Sequence, residues 1–306
     1  MNGTANCYQI EPLNAVYSFN CMVKGNSNES VGEVSTLEVL WETDSYMRKA
    51  ELGTVISSVE LSNDLAVFTL PNELDEGNAL IAAKDKDGTI LWSWHIWVTD
   101  TPVNHDYTKD NTRYVVQDRN LGAARGDHGS GDEWKESCGL VYEWGRKDPF
   151  AAGNFTNTSS SFSIGDYISN PTVIPSNWNN SGWDTVSKTM YDPCPVGYRV
   201  VTKEVYACLT ASGEYSNGWN FLYDGVNTAW YPVKSKTYAD GSISYWSDCY
   251  MWSSSSSSNC FYFGSGGGTS PSHGTGTKEL AVRCMKDDPE KKGGSENYTV
   301  SDNYKW

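Results

Sequence analysis

At 306 residues the chain has the length of about two domains, and its 13 Trp, 19 Tyr and 8 Phe exclude a solvated coil, which carries far less aromatic surface. A formal net charge of −15 repels phosphate backbones and anionic bilayers, and no Lys/Arg cluster offsets it, so nucleic acid is not expected as a partner. No apolar run reaches the ~20 residues of a membrane-spanning helix, so direct membrane insertion is not expected either.

The high Gly, Ser and Asn content favours turns and long loops, hence a β-rich or α+β architecture. Residues 1–99 read as an all-β unit. Residues 36–41 partly alternate between polar and apolar side chains. Residues 55–70 are rich in Val, Ile, Leu and Phe and are interrupted by the turn signal Ser62-Asn63-Asp64. Two apolar runs, 78–83 and 89–98, flank Lys84-Asp85-Lys86-Asp87-Gly88, which predicts a β-hairpin about an Asp-Gly turn. In its second strand Trp92, Trp94, Ile96 and Val98 share one face, while Leu91, His95 and Trp97 fall on the other. Both faces need cover, so this strand is central or lies under the next unit.

Residues 100–107 are polar, contain Pro102 and read as a linker. The second unit, 108–287, is loop-rich, with long polar stretches at 126–136 and 154–184. One helix is expected there, with Thr202 as N-cap, Glu204 in the first turn, Val205, Cys208 and Leu209 on one face, and Gly213 past its end. Strands and loops return over 238–284. Residues 288–306 read as a polar, solvated tail.

Eight cysteines, an even number, fit an oxidised and exported protein, although they allow 105 pairings. None forms a C-x-x-C pair, which argues against a zinc site or a thioredoxin-like centre. The start, Met1-Asn2-Gly3-Thr4, is read as following a removed leader or anchor.

Four motifs in the second unit carry a resemblance: Asp118-Arg119-Asn120-Leu121-Gly122; Cys138-Gly139-Leu140-Val141-Tyr142-Glu143-Trp144-Gly145-Arg146-Lys147-Asp148-Pro149-Phe150; Asp192-Pro193-Cys194-Pro195-Val196-Gly197-Tyr198-Arg199-Val200-Val201-Thr202; and Val282-Arg283-Cys284. In this order, over about residues 110–287, they resemble the Fibrobacter-type major paralogous domain family and related fimbrial tip-like surface proteins of gut Bacteroidales. Val201 departs from the pattern, which has Pro before the Thr, and Glu204 with Tyr206 only loosely matches its acidic-aromatic pair. The resemblance implies an α+β chain. An N-terminal β-sandwich precedes a C-type-lectin-like domain akin to formylglycine-generating-enzyme folds. It also implies a disulfide within the second unit, with Cys194–Cys284 and Cys249–Cys260 the leading pairs.

The expected function is that of an extracellular or outer-cell-surface adhesin-like protein, not an enzyme. Its partner would be a glycan or a host or bacterial surface protein. The alternative is a structural pilus subunit contacting pilin neighbours; a glycan-acting or cysteine-redox enzyme ranks lower. The candidate ligand site is Tyr245, Trp246, Asp248, Tyr250, Trp252, Asn259, Phe261, Tyr262 and His273. Tyr and Trp give rigid contact area, Ser, Gly and Asn give adaptable hydrogen bonds, and aromatic faces suit sugar rings. Six serines at 253–258 cannot form a core, which places this segment at the surface. Residues 213–275 also have the composition diversified in the variable proteins of diversity-generating retroelements.

No metal or cofactor is expected. The loop 126–133 offers hard oxygen ligands without EF-hand spacing and reads as a solvated acidic loop, and residues 176–180 only superficially echo a lectin calcium motif. No carboxylate pair is marked for glycoside hydrolysis, and His95, His105, His128 and His273 are scattered. Glu143, Arg146 and Asp148 read as a buried structural network, as do Arg199 and Arg283.

Overall fold

The computed structural model describes residues 4–13, 15–73, 76–109, 111–176, 182–215, 217–264, 269–274, 279–287 and 299–300. The protein is mostly β, with 44% of residues in strands and 6% in helices. Helix therefore contributes less than an α+β reading suggests.

In the first part of the chain, one sheet runs in the order Cys7–Ile10, Ile90–Val98, Gly77–Lys84, Thr36–Asp44, Lys49–Ala50. Gly77–Lys84 and Ile90–Val98 form the expected antiparallel hairpin. Its turn is set locally: Asp85 Oδ1 accepts from the backbone N–H of Asp87 and Thr89 at 2.9 and 2.8 Å, and Gly88 takes φ +84°, where a side chain would be strained. A second sheet has the order Thr299–Val300, Val16–Asn20, Leu65–Thr69, Ser58–Ser62. Asn63 and Asp64, at φ 50° and 65°, make the two-residue turn between its last two strands. Thr299 and Val300, within the stretch read as a solvated tail, are strand residues here; the rest of 288–306 lies outside the described residues.

The two sheets turn their apolar faces to one core. Tyr17, Phe19 and Phe68 come from the second sheet, and Trp92, Trp94, Ile96 and Val98 from the first. The other face of Ile90–Val98 is covered as well. Trp97, with Cys7, Trp41 and Leu80, belongs to a core that also contains Leu121, Leu140, Tyr142, Trp252, Leu280 and Val282. Across that joint Trp97 Nε1 donates to the Ala123 carbonyl at 3.0 Å, and Asn78 Nδ2 to the Gly122 carbonyl at 3.0 Å. The central position of the strand and its double cover together explain its apolar faces. Asn104–Lys109 pairs with Thr112–Asn120, so residues 104–107 are strand and not connector.

Beyond residue 108 a four-stranded sheet is ordered Tyr198–Val200, Arg283–Lys286, Thr112–Asn120, Asn104–Lys109. A three-stranded sheet comprises Thr210–Tyr215, Gly218–Leu222 and Thr228–Pro232. A five-stranded sheet is ordered Val141–Glu143, Glu279–Ala281, Cys249–Trp252, Asn259–Phe263, Thr269–Gly274. They enclose a core containing Tyr107, Tyr206, Phe221, Tyr231, Met251, Phe261 and Met285.

Several sequence expectations are corrected. The helix after Thr202 is one turn, Lys203–Tyr206, and the Thr202 side chain makes no capping hydrogen bond. From Thr210 the chain is a strand on Gly218–Leu222, with Gly213 at a register shift and not at a helix end. Pairing with an aromatic strand overrides the weak local preference for continuing the helix. Conversely, the polar stretch 154–184 contains a helix, Ile164–Ser169, started by a reciprocal cap between Ser163 and Asp166.

Cys194 and Cys284 form a disulfide. Cys249 and Cys260 do not pair. In the ladder Cys249 lies opposite Phe263 and Cys260 opposite Trp252, so their side chains leave opposite faces of the sheet and enter different cores. Burial raises the pKa of both the Cys138 and Cys249 thiols.

The expected buried network is present and larger than foreseen. Arg146 donates to Glu143 Oε2 at 2.9 Å and to the carbonyls of Val173 and Pro171, between the rings of Phe150 and Tyr167. Asp148 accepts from Lys147 Nζ and Ser93 Oγ, which ties this motif to the Trp-rich strand. Arg283 donates to Asn120 Oδ1 and the Trp230 carbonyl beneath Tyr231. Arg199 pairs with Asp287.

Candidate functional site

The three strands Cys249–Trp252, Asn259–Phe263 and Thr269–Gly274 sort the predicted residues by their alternation. Cys249, Met251, Phe261 and Phe263 point into the core shared with Tyr206, Phe221 and Tyr231. Phe261 is 1% exposed and stacks on Tyr206 at 4.5 Å, so it is a core residue and not a ligand contact. The opposite face divides along its length. Trp252 is 2% exposed and its Nε1 donates to the Tyr142 carbonyl at 2.8 Å; it too is core. Ser253 and Ser254 are buried beside it, contrary to the expectation for the serine run. Their hydroxyls are paired: Ser254 Oγ donates to the Val201 carbonyl and Ser253 Oγ accepts from Ser255 N–H, each at 3.4 Å.

One row further along the same face, the remaining aromatics meet at the surface. Tyr250 and Tyr262 are partners in the ladder, and their rings lie 5.0 Å apart. Tyr262 stacks on His273 at 4.4 Å, and Tyr250 meets His273 edge-on at 6.2 Å. Trp246, 41% exposed, meets Tyr250 edge-on at 5.9 Å. The hydroxyl of Tyr262 occupies the space that a Cβ at residue 264 would need, so Gly264 is what lets this ring lie over the backbone. Burial raises the Tyr250 pKa, so its hydroxyl stays a donor at neutral pH.

Below these rings lies a residue the sequence did not mark. Lys234 is 4% exposed, and its backbone is fixed by two hydrogen bonds: its N–H donates to the Asp248 carbonyl, and its carbonyl accepts from Trp246 N–H. Its Nζ sits 4.3 Å from the centre of the Trp246 ring and 5.8 Å from that of Tyr250. Burial pulls the Lys234 pKa down to about 8; the charge of Glu279 opposes that shift. A lone Lys between Val233 and Ser235 carries no local signal of this placement.

The other predicted residues lie around the patch or apart from it. Asn259, half-buried, begins its strand opposite Gly274. Asp248 contributes its backbone to the Lys234 turn. Tyr245 turns away, packing edge-on against Trp134 at 4.8 Å.

Apart from the patch, a concavity of about 580 Å³ is lined by Asp100, His105, Asp118, Arg119, Arg125 and Glu136 among others. Its charges are consumed internally. Arg119 donates to Asp118, Asp100, Thr99 Oγ1 and the Ala124 carbonyl. Arg125 donates to Asp127, Glu133 and Glu136, so a guanidinium fills the acidic loop that had offered oxygen ligands. Among the described residues, no group of three or more His, Cys, Asp or Glu is placed to hold a metal ion. Residues 177–180 of the echoed calcium motif lie outside the described residues.

Comparison with protein-family models, with curated proteins and with solved structures returns no match.

Proposed function

We propose that this chain is an extracellular, non-enzymatic binding protein, in which a β-sandwich supports a C-type-lectin-like second domain. The observation that carries the reading is the contiguous surface cluster Trp246, Tyr250, Tyr262 and His273 on one end of a sheet whose other end is core. Soluble proteins seldom keep such a patch without a use, and rigid aromatic faces with polar tips suit sugar rings or a protein epitope. A scaffold of two apolar layers beneath three strands allows the outward residues of 213–275 to vary while Phe221, Phe261 and Phe263 hold the fold. The Cys194–Cys284 bridge is in keeping with an exported protein.

The test is a glycan array together with a screen against surface proteins, using wild type, Trp246→Ala and Tyr262→Ala. Removal of a central aromatic should weaken binding by about thirtyfold, equivalent to about 2 kcal/mol, with little loss of stability. A ligand held equally well by both variants would place the site elsewhere.

A second reading, a structural pilus subunit, has one observation in its favour. The outer face of the second sheet carries Val16, Leu65 and Val67 in a groove of about 560 Å³, a surface suited to an assembly contact. Concentration-dependent association that Val67→Glu abolishes would support it.

A further inference from the structure

We propose, resting on the reading of the aromatic patch as a binding site, that this site takes an acidic sugar, a pyranose whose ring lies on Trp246 beside Tyr250 and whose carboxylate meets the Lys234 ammonium. Two independent observations lead there. Trp246, 41% exposed, offers an indole suited to the C–H face of a pyranose, and Tyr250 stands nearly at right angles beside it at 5.9 Å as a wall with a polar tip. The second is the lysine. The residue is 4% exposed, yet among the described residues its ammonium has no ion pair and no side-chain hydrogen bond and lies against the rings of Trp246 and Tyr250. By contrast, buried Lys147 is held by Asp148 and Ser93, and half-buried Lys188 donates to the carbonyls of Cys194 and Pro195. Glu279 acts on this ammonium only at a distance, beyond ion-pair range, so burial is only partly compensated, and an incoming carboxylate would add charge-assisted hydrogen bonds. In a chain of net charge −15, a local positive site of this kind is selective: it draws one carboxylate, while the surrounding field disfavours polyanions.

The carboxylate could also come from an acidic peptide. The exposed indole of Trp246 favours the sugar, because a pyranose has a broad apolar face beside its carboxylate and an Asp or Glu side chain does not.

The groups facing Lys234 are Glu279 from the neighbouring strand, Lys236 from the strand Ser235–Thr237 and Cys260 from the sheet, with Tyr250 above. With a pKa near 8, Lys234 is mainly charged at pH 7, so binding should weaken as pH rises from 7 to 9.5.

The full chain is titrated by calorimetry with oligogalacturonate, its methyl ester and poly-Glu, in wild type, Lys234→Met and Trp246→Ala. The expected result is at least tenfold preference for the acid over the ester. Lys234→Met should lose that preference while unfolding at an unchanged or higher temperature, and Trp246→Ala should lose binding to both sugars. The ester comparison and the pH titration on wild type test the charge even if Lys234→Met folds poorly. Equal binding of acid and ester, with Trp246→Ala deficient, overturns the anionic inference and leaves the aromatic site standing. Lys234-dependent binding of poly-Glu but not of the sugar overturns the sugar assignment. Absence of binding to either sugar and to poly-Glu overturns the acidic-sugar inference, and the array and protein screen then decide the aromatic site on their own.

Discussion

Replacing Trp252 with Ala should unfold the protein readily, although the residue lies two positions from Tyr250 on the same strand face. Trp252 is 2% exposed, and its Nε1 donates to the Tyr142 carbonyl at 2.8 Å. An indole of this size removes about 200 Å² from water, worth about 5 kcal/mol at 25 cal/mol/Å², an upper figure because unfolded chains are partly compact. Losing the hydrogen bond leaves a buried carbonyl short of a donor, about 1 kcal/mol more, and partial collapse of the cavity returns some of the loss. The net expectation is about 3–5 kcal/mol. Tyr262→Ala removes a half-buried ring with two ring neighbours, each such pair worth about 0.5–1.5 kcal/mol, so its loss should be about 1–2 kcal/mol. Urea unfolding followed by far-ultraviolet circular dichroism measures both. Trp252→Ala within 1 kcal/mol of wild type, or Tyr262→Ala more damaging than Trp252→Ala, would refute the division of this face into core and patch.

Three further outcomes are expected. Replacing both Cys194 and Cys284 with Ala should cost about 2–5 kcal/mol, since the bridge joins positions 90 residues apart, and non-reducing peptide mapping should find that pair alone with six free thiols; a different pairing contradicts the structure. Lys147→Met should cost about 3–5 kcal/mol by leaving the Asp148 carboxylate buried without its cation, and adding Asp148→Asn should recover part of it; a neutral single variant argues against the buried pair. His95 is buried with its Nε2 on Asn78 Oδ1 and its pKa pushed down to about 3 by desolvation. The unfolded imidazole binds its proton near pH 6.5, so the unfolded state holds more protons between the two values. The His95 contribution is therefore whole above pH 6.5 and is lost as pH falls toward 3, a loss on the order of 3 kcal/mol by pH 4.5. His95→Gln should lack that part of the acid sensitivity, and an equal acid loss in variant and wild type would contradict this.

The sequence by itself determined what local chemistry controls. Asp85 and Gly88 write their hairpin because an Asx turn and a positive φ are decided within five residues. Alternation of Trp92, Trp94 and Ile96 against His95 and Trp97 already required cover on both faces. Ser163 with Asp166 also held a legible capping signal for the helix that the polar composition concealed. Only the tertiary structure decided the rest, because alternation assigns a residue to a face and not to a position along it. Trp252 and Tyr250 share a face, yet Tyr142 and Leu280 lie in the core that encloses the first, while the second is only half-buried at the edge of that core. The same geometry sent Cys249 and Cys260 to opposite cores. The helix after Thr202 ended early because the Gly218–Leu222 strand offered a ladder to the residues that would have continued it. Lys234 carried no signal for the same reason: its burial depends on the chain folding back so that Trp246 and Tyr250 lie against its ammonium, which no local pattern around residue 234 announces.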